Sequence, residues 1–564
     1  MSQRPPDDHR NLLIAVALSM AVMLGWQVFY AGPQIKEQQE RAQRERAAQQ
    51  QEAEKAAGTS PETPAQPGST ALPGSRPVQP TIPARPTATR AEVLASSASA
   101  RVPIETPSLT GSISLTGGLI DDLVLVNYRE TVDAKSPNVV LFSPLGAPGA
   151  YFAEYGWQGA VGAQVPLPGS DTVWQAESGA KLTPETPVTL TWDNGQGLTF
   201  RRTITIDEHY MLKVSDSVQN ATSGDVVLTP YARLYRFGTP HTSGYGTILH
   251  EGLIGVPGDA GLQEIPYADV LEDGGAKSFD GKTGGWLGIT DKYWAATLIP
   301  DQKATYAGSF RGQRSSAASQ EVFWTDYQLG VQAVAAGATH TVDGHLYAGA
   351  KQVKIVEGYE TALGIEKFEL LIDWGWFYFI TKPLYYVIDW LYGILAVTVI
   401  VKLVFFPLAN KGYESMAKMK KLQPQMEALR ERYKDDKAKQ QQALMQLYKD
   451  EKINPLAGCL PILVQIPVFF ALYKVLFVSI DMRHAPFFGW IQDLSAADPT
   501  SIFNLFGLLP FAVPEFLHIG VWPVIMGLSM WVQMQLNPPQ PDPIQQKIFS
   551  YMPLIFTFLL AAFP

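Results

Sequence analysis

The sequence predicts a multidomain membrane protein: an all-β antiparallel sandwich or supersandwich outside the membrane, joined to an α-helical transmembrane bundle with a cytoplasmic helical hairpin. Three observations predict it. Five stretches, Leu12–Tyr30, Trp390–Ala409, Leu456–Ile480, Ile519–Leu536 and Ile548–Pro564, are apolar and long enough to cross a bilayer. Between the first and second, from about Ile104 to Gly358, short alternating runs are punctuated by Gly, Pro and Asn-Gly. Between the second and third, Lys411–Lys452 carries 11 Lys/Arg against 7 Asp/Glu, the charge excess of a cytoplasmic loop.

A chain of 564 residues has room for several domains, and its net charge of −9 averages over regions of opposite character. No basic face interleaved with aromatics is evident, so direct nucleic-acid specificity is not expected. Cys459 is the only cysteine, so no disulfide within the chain can stabilise an exported domain.

Taken in order, residues 1–33 read as a transmembrane anchor. Its apolar run is long, and Phe29 stands where cleavage after Ala31 would require a small residue, so the anchor is expected to stay uncleaved. Residues 34–103, rich first in Gln, Glu and Ala and then in Pro, Ser and Thr, read as a flexible tether, because such a composition cannot bury enough apolar surface to offset its ordering entropy. Residues 104–360 form the sandwich, with strands expected at Val188–Trp192, Thr203–Ile206, Met211–Ser215 and Val226–Thr229. Ala276–Thr283 loosely fits a phosphate-loop pattern, but Gly284-Gly285 follows where a helix should open, so a surface hairpin is expected. Residues 361–389 gather aromatics around Asp373, Lys382 and Asp389, the composition of an interfacial amphipathic helix. Residues 390–564 form the membrane core, with the hairpin at 411–452.

Orientation follows from loop charge. Asp481–His518 carries only Arg483 against Asp481, Asp493, Asp498 and Glu515, so this loop lies opposite the basic one. The N-terminus is then inside and everything from about Ala31 to Ile380, the sandwich included, outside.

Lys402 is the main candidate functional residue. An ionised side chain in a span costs about 3 kcal/mol on insertion scales and is kept where it meets water, a partner or a substrate. It lies seven residues before Ala409, about 10 Å at ~1.5 Å per residue. Either its stem snorkels to the surface or it lines a water-filled cavity. Gln465, Gln533 and Gln535 could help line such a cavity or make interhelical hydrogen bonds. In the basic loop, Met416, Met419, Leu422, Met426, Leu429 and Tyr433 recur at steps of 3, 3, 4, 3 and 4, and Leu444 and Leu447 follow a polar break. This stripe is the seam of an antiparallel hairpin, and its methionines also suit adaptable binding of varied helices. No His-Glu-x-x-His, Cys-x-x-Cys or Gly-x-Ser-x-Gly occurs, so no catalytic residue, metal site or cofactor is assigned.

The runs Ser415–Pro424, Leu429–Arg432, Leu447–Lys449, Glu451–Pro455 and Gly458–Tyr473 closely resemble the YidC/Oxa/Albino family of membrane protein insertases. A weaker likeness at Gly117–Ile120, Tyr151–Trp157 and Gly284–Trp286 resembles the Gram-negative form with its large periplasmic domain. The resemblance implies a helical bundle around a hydrophilic groove holding a cation, here Lys402, where the best-known members carry arginine. It implies an insertase and chaperone, not an enzyme, acting alone or beside the Sec translocon. Nascent membrane proteins, Sec subunits, the ribosome, signal recognition components and the lipid bilayer would be its partners. Met416, Met419, Lys420, Lys421, Leu422, Met426, Arg430 and Arg432 would contact client or ribosome. The family continues into one more span where this chain stops at Pro564, so five spans and a groove missing a wall are expected. The alternatives are a membrane-anchored carbohydrate-binding or carbohydrate-active protein, marked by paired carboxylates in the sandwich, and a small-solute transporter, marked by inverted repeats.

Overall fold

Strict alternation builds the sandwich. In Leu198–Ile206 every second residue from Leu198 is buried, the period-two pattern of a strand with one face on a core. The computed structural model describes residues 88–160, 165–240, 249–272, 275–315, 320–391, 394–434, 436–451, 460–487, 489–506, 508–509, 513–514, 518–536 and 543–561. The anchor Leu12–Tyr30 and the tether up to residue 87 lie outside them.

Two antiparallel sheets face each other. One has ten strands, running Arg101–Glu105, Leu109–Ser114, Ile120–Arg129, Tyr151–Gly159, Val226–Phe237, Gln320–Leu329, Thr305–Ser315, Lys277–Thr283, with Asn138–Phe142 and Gln332–Val334 attached at its sides. The other has eight, running Gln263–Pro266, Gly252–Pro257, Gly285–Thr290, Trp294–Pro300, Thr339–Ala350, Met211–Asn220, Leu198–Ile206, Val188–Asp193. Their inner faces merge into one apolar core that includes Leu123, Phe200, Leu212, Trp286, Phe310 and Tyr347. All four sequence-expected strands are present, each longer than its apolar run.

One inward position on Leu198–Ile206 is a charge. Arg202 is fully buried and donates to both carboxylate oxygens of Asp216 on the neighbouring strand, at 2.7 and 2.9 Å. Its remaining donors reach the carbonyls of Gly118 at 3.0 Å and Tyr155 at 2.5 Å, with the Trp174 ring 5.1 Å from the guanidinium. The bidentate fork satisfies a buried cation that would otherwise be prohibitive. Gly118 has φ 61°, and a Cβ there would lie 2.9 Å from Arg202 Nη1, so glycine is required both by the turn and by the guanidinium.

Four sequence expectations change in detail. Regular structure among the described residues extends N-terminal to the expected domain edge: helix α1, Arg90–Ser96, carries a Thr89/Glu92 capping box, and the first strand starts at Arg101. The capping oxygens satisfy the orphan N–H groups that composition alone cannot foresee. The phosphate-loop-like run is not a hairpin. Lys277–Thr283 pairs in the ten-stranded sheet and Gly285–Thr290 in the eight-stranded one. Gly284 and Gly285, at φ 74° and 82°, carry the chain across, and a Cβ on Gly285 would lie 1.7 Å from the Val256 carbonyl.

The third change is the interfacial helix, which is shorter than residues 361–389. After helix α2, Val353–Leu363, comes a 3-10 turn, Phe368–Leu371, and helix α3 spans only Tyr378–Leu391. Asp373 and the left-handed Gly375 break the segment before it. Fourth, the second span and the first arm of the hairpin are one helix. Helix α4 runs Ile394–Arg432 without a break at Ala409, about 58 Å at ~1.5 Å per residue.

Helix α5, Lys437–Asp450, folds back on α4, and Asp436 caps it by accepting from the Lys439 N–H. Helices α6, Leu460–Val478, α7, Val521–Leu536, and α8, Pro543–Leu560, complete the described helical region. Helix α6 packs on α3 and α4, and α7 packs on α8. Among the described residues, only α4 is both long and apolar enough to cross a membrane by itself.

Candidate functional site

Lys402 lies in the apolar half of α4, exposed, beside exposed Leu403, Val404 and Phe406. Among the described residues it makes no hydrogen bond or ion pair. Gln465 is exposed on α6, a helix that packs on α4. Gln533 and Gln535 are exposed on α7, whose main neighbour is α8. Two residues apart, they project about 200° from each other around the helix, so they cannot both line one cavity. The structure therefore associates Gln465 with the helix pair of Lys402 and sets the other two glutamines apart.

The hairpin separates its candidates into seam and surface. Leu422 and Met426 are buried and pack against Leu444, Leu447 and Tyr448 of α5. Tyr448 Oη stands 3.8 Å from Met426 Sδ, and Gln440 Nε2 donates to the Arg430 carbonyl at 3.1 Å. Leu422 and Met426 hold the two arms together and do not offer a binding surface, because the side that would meet a client is already covered. Lys420, Lys421 and Arg432 are exposed, while Met419 and Arg430 are half-buried. The Met416 side chain lies outside the described residues. Met445 on α5 is exposed and escaped the sequence reading, which followed the stripe of the first arm.

The most elaborate polar cluster was missed. It lies where the sandwich meets the apolar helices and centres on Lys474, a second cation inside an apolar helix. Lys474 Nζ pairs with Asp373 Oδ2 at 2.7 Å, both largely buried. Asp373 also accepts from the His250 N–H at 3.0 Å and the Gly375 N–H at 3.0 Å. Gly375 is left-handed, and a Cβ there would sit 3.3 Å from Lys474 Cε. Burial alone would push the Asp373 carboxyl up, but Lys474 and the His250 amide hold it below the usual carboxylate range. Next to it Lys351 is buried, with Nζ 3.0 Å from Thr290 Oγ1, and burial pulls its ammonium down to about 8 against the attraction of Asp373, Asp291 and Glu251.

Further contacts tie the same surfaces. Lys292 Nζ stands 3.6 Å over the Phe477 ring of α6, and Tyr293 Oη bonds Ser495 Oγ at 2.8 Å. Arg483 donates to the carbonyls of Arg129 at 2.6 Å and Glu130 at 3.2 Å and lies over the Trp294 ring. Tyr385 of α3 donates to Asp481 at 2.8 Å, and Lys382 bridges Glu357 and Glu369 at the base of the sandwich. No sequence signal identifies Lys474 as a junction residue, since its partner lies 101 positions away.

A large antiparallel sandwich fastened to an apolar helical region, one helix of which carries a cation and then a basic hairpin, is the outline of a membrane protein with a large water-soluble domain. Residues 101–387 match the family described as YidC periplasmic domain, and residues 383–564 match the family described as 60Kd inner membrane protein. The membrane protein insertase YidC of Methylobacterium radiotolerans is 51% identical over 577 residues, covering 99% of this chain and 91% of its own length. Those of Bradyrhizobium diazoefficiens and Brucella melitensis are 51% and 52% identical, each covering 99% of this chain and 92% of the relative. The chain belongs to the YidC family of membrane protein insertases. A galactose mutarotase related enzyme from Lactobacillus acidophilus aligns with 44% of this chain and 97% of its own, at TM-score 0.31 and 11% identity. The carbohydrate reading is not favoured, since the similarity over nearly the whole chain is to insertases.

Proposed function

We propose that this protein inserts and folds proteins of the bacterial inner membrane by offering a hydrated, cation-bearing path beside α4. The observation that supports this path is the setting of Lys402, a charge exposed among exposed apolar side chains on an apolar helix. In a bilayer that face cannot meet only hydrocarbon, because the charge would cost about 3 kcal/mol there. Water or a client segment must cover it.

Lys402 attracts the polar or acidic segment of an incoming chain, with the charge acting over a shortened apolar distance. The client's apolar helix then partitions into lipid at ~0.8 kcal/mol per buried methylene, which supplies the driving force without a nucleotide. The exposed Lys420, Lys421 and Arg432 of the hairpin receive the client or the ribosome from the cytoplasm. The sandwich faces the periplasm, where Sec subunits are its natural neighbours. Residues 1–33 anchor it, and the segment that follows is a tether.

The test is complementation of insertase-depleted cells, scored by insertion of a short, Sec-independent membrane protein. Lys402→Arg keeps insertion, and Lys402→Ala lowers its rate roughly tenfold, the equivalent of about 1.4 kcal/mol of lost attraction. Wild-type insertion by both Lys402→Ala and a deletion of Met416–Lys452 contradicts the mechanism.

A further inference from the structure

Where the sandwich meets the end of α6 there is an open cleft of about 660 Å³, within the size range of small-molecule sites. One wall is the tip of the sandwich hairpin that follows strand Ile120–Arg129, and the other is the loop from Arg483, five residues beyond Val478 at the end of α6. Arg129 and Arg483 bring two guanidinium groups to this cleft from positions 354 apart in the chain. Among the described residues neither forms an ion pair with a carboxylate. Arg129 donates through Nη1 to the Ser136 carbonyl at 2.7 Å. Arg483 donates through Nη2 to the Arg129 and Glu130 carbonyls, and its Nη1 stands 3.5 Å from His484 Nδ1. Asp493 is engaged elsewhere: it accepts from the Ser495 N–H and hydroxyl at 2.8 and 2.7 Å and lies 3.9 Å from His484 Nε2. Asp493 and Glu130 act on the Arg483 charge only from beyond contact distance.

We propose that this cleft binds the phosphate of an anionic phospholipid headgroup at the sandwich-side face of the bilayer, with Arg129 and Arg483 taking the phosphate oxygens. Guanidinium groups suit phosphate because their donors form a planar fork. Here both are held by backbone carbonyls, which fix their orientation without neutralising their charge. Two uncompensated cations lining one concave site attract an anion more strongly than either would in free solvent.

Free phosphate would satisfy the two arginines, but the rest of the lining favours a lipid. Val132 and Phe487, 48% and 40% exposed, line the cleft beside the polar Asn127 and Gln492, so it offers an apolar surface next to its charge. A headgroup with its glycerol and upper acyl chain uses both. The position agrees with that source. The cleft adjoins the end of the apolar helix α6, and Trp490, from the same loop, is exposed and stacks on Trp522 with centroids 6.1 Å apart. Tryptophans of this kind gather at the headgroup level. His484, at the turn into the cleft wall, holds φ 58°, a left-handed conformation that costs a non-glycine residue about 1 kcal/mol and recurs at ligand sites.

The test is calorimetric titration of the full chain, purified in detergent, with dioctanoyl phosphatidylglycerol, dioctanoyl phosphatidylcholine and inorganic phosphate. Phosphatidylglycerol is expected to bind at least about tenfold more tightly than either of the others, and Arg129→Gln to weaken it roughly tenfold. Arg129→Gln carries the test because the side chain is exposed and bonds only a backbone carbonyl among the described residues, whereas Arg483 also ties the joint. Arg129→Lys is expected to recover part of the loss, and Arg314→Gln, at an exposed arginine outside the cleft, to change nothing. Equal binding of inorganic phosphate overturns the lipid assignment, and equal binding of phosphatidylcholine overturns the demand for an anion. Binding that Arg129→Gln leaves intact, or that Arg314→Gln weakens as much, overturns the site. The readout is lipid held by the resting chain and not insertion, so this proposal and the insertase reading stand or fall separately.

Discussion

Lys474 and Lys402 are both cations in apolar helices, and their surroundings separate them. Lys474 is satisfied by Asp373 at 2.7 Å and shielded by the glycine beside it, so its charge is spent on architecture. Lys402 is exposed on α4, and among the described residues no hydrogen bond or ion pair takes up its charge. Replacing Lys474 by Met should strand the largely buried Asp373 carboxylate and lower the stability of the full chain in detergent by about 2 kcal/mol, less than the 3–5 of a fully buried pair. Adding Asp373→Asn should restore part of the loss, and additive denaturation midpoints would show that the pair does not couple. Only Lys402 was legible in the sequence, because it stands alone in its run. Lys474 sits near the end of an equally apolar run, and the acid that explains it is 101 residues away. Arg202 was hidden in the same way: its inward position follows from strand alternation, but its partners come from three other parts of the sandwich.

At the scale of elements, periodicity decided what could be read. The strands around Val188–Asp193 and Leu198–Ile206 follow a period of two with a tight turn between them, and the hairpin stripe follows steps of 3 and 4, so both were visible. The join between the second span and the hairpin was not. Loop charge marks an expected change of environment at Ala409, whereas no proline lies between Ala409 and Met419, and α4 runs through both unbroken. A seam that holds two arms is distinct from a surface that binds clients. Leu422→Asp should therefore place a charge between α4 and α5 and raise amide exchange across Lys437–Asp450 at least about tenfold, the equivalent of 1.4 kcal/mol. Met445→Asp, on the exposed side, should leave exchange unchanged. Equal exchange in the two variants would mean that the seam does not hold the hairpin.

For the whole molecule, the sandwich is fastened to the helical region through Asp373–Lys474, Tyr293–Ser495, Arg483 and Lys382. This joint places a broad rigid domain directly against the ends of α3 and α6. In the proposed mechanism transfer is left to the helices, with the exposed Lys402 of α4 and the basic hairpin that follows it. If that division holds, the protein needs neither another protein nor a nucleotide to move a short client. The most direct measurement is insertion of a short, Sec-independent membrane protein into liposomes containing only the purified full chain, scored by protease protection. Nucleotide-free insertion that falls with Lys402→Ala and survives Lys402→Arg is the predicted result. Insertion no greater than in protein-free liposomes, or insertion indifferent to the charge at Lys402, would contradict it.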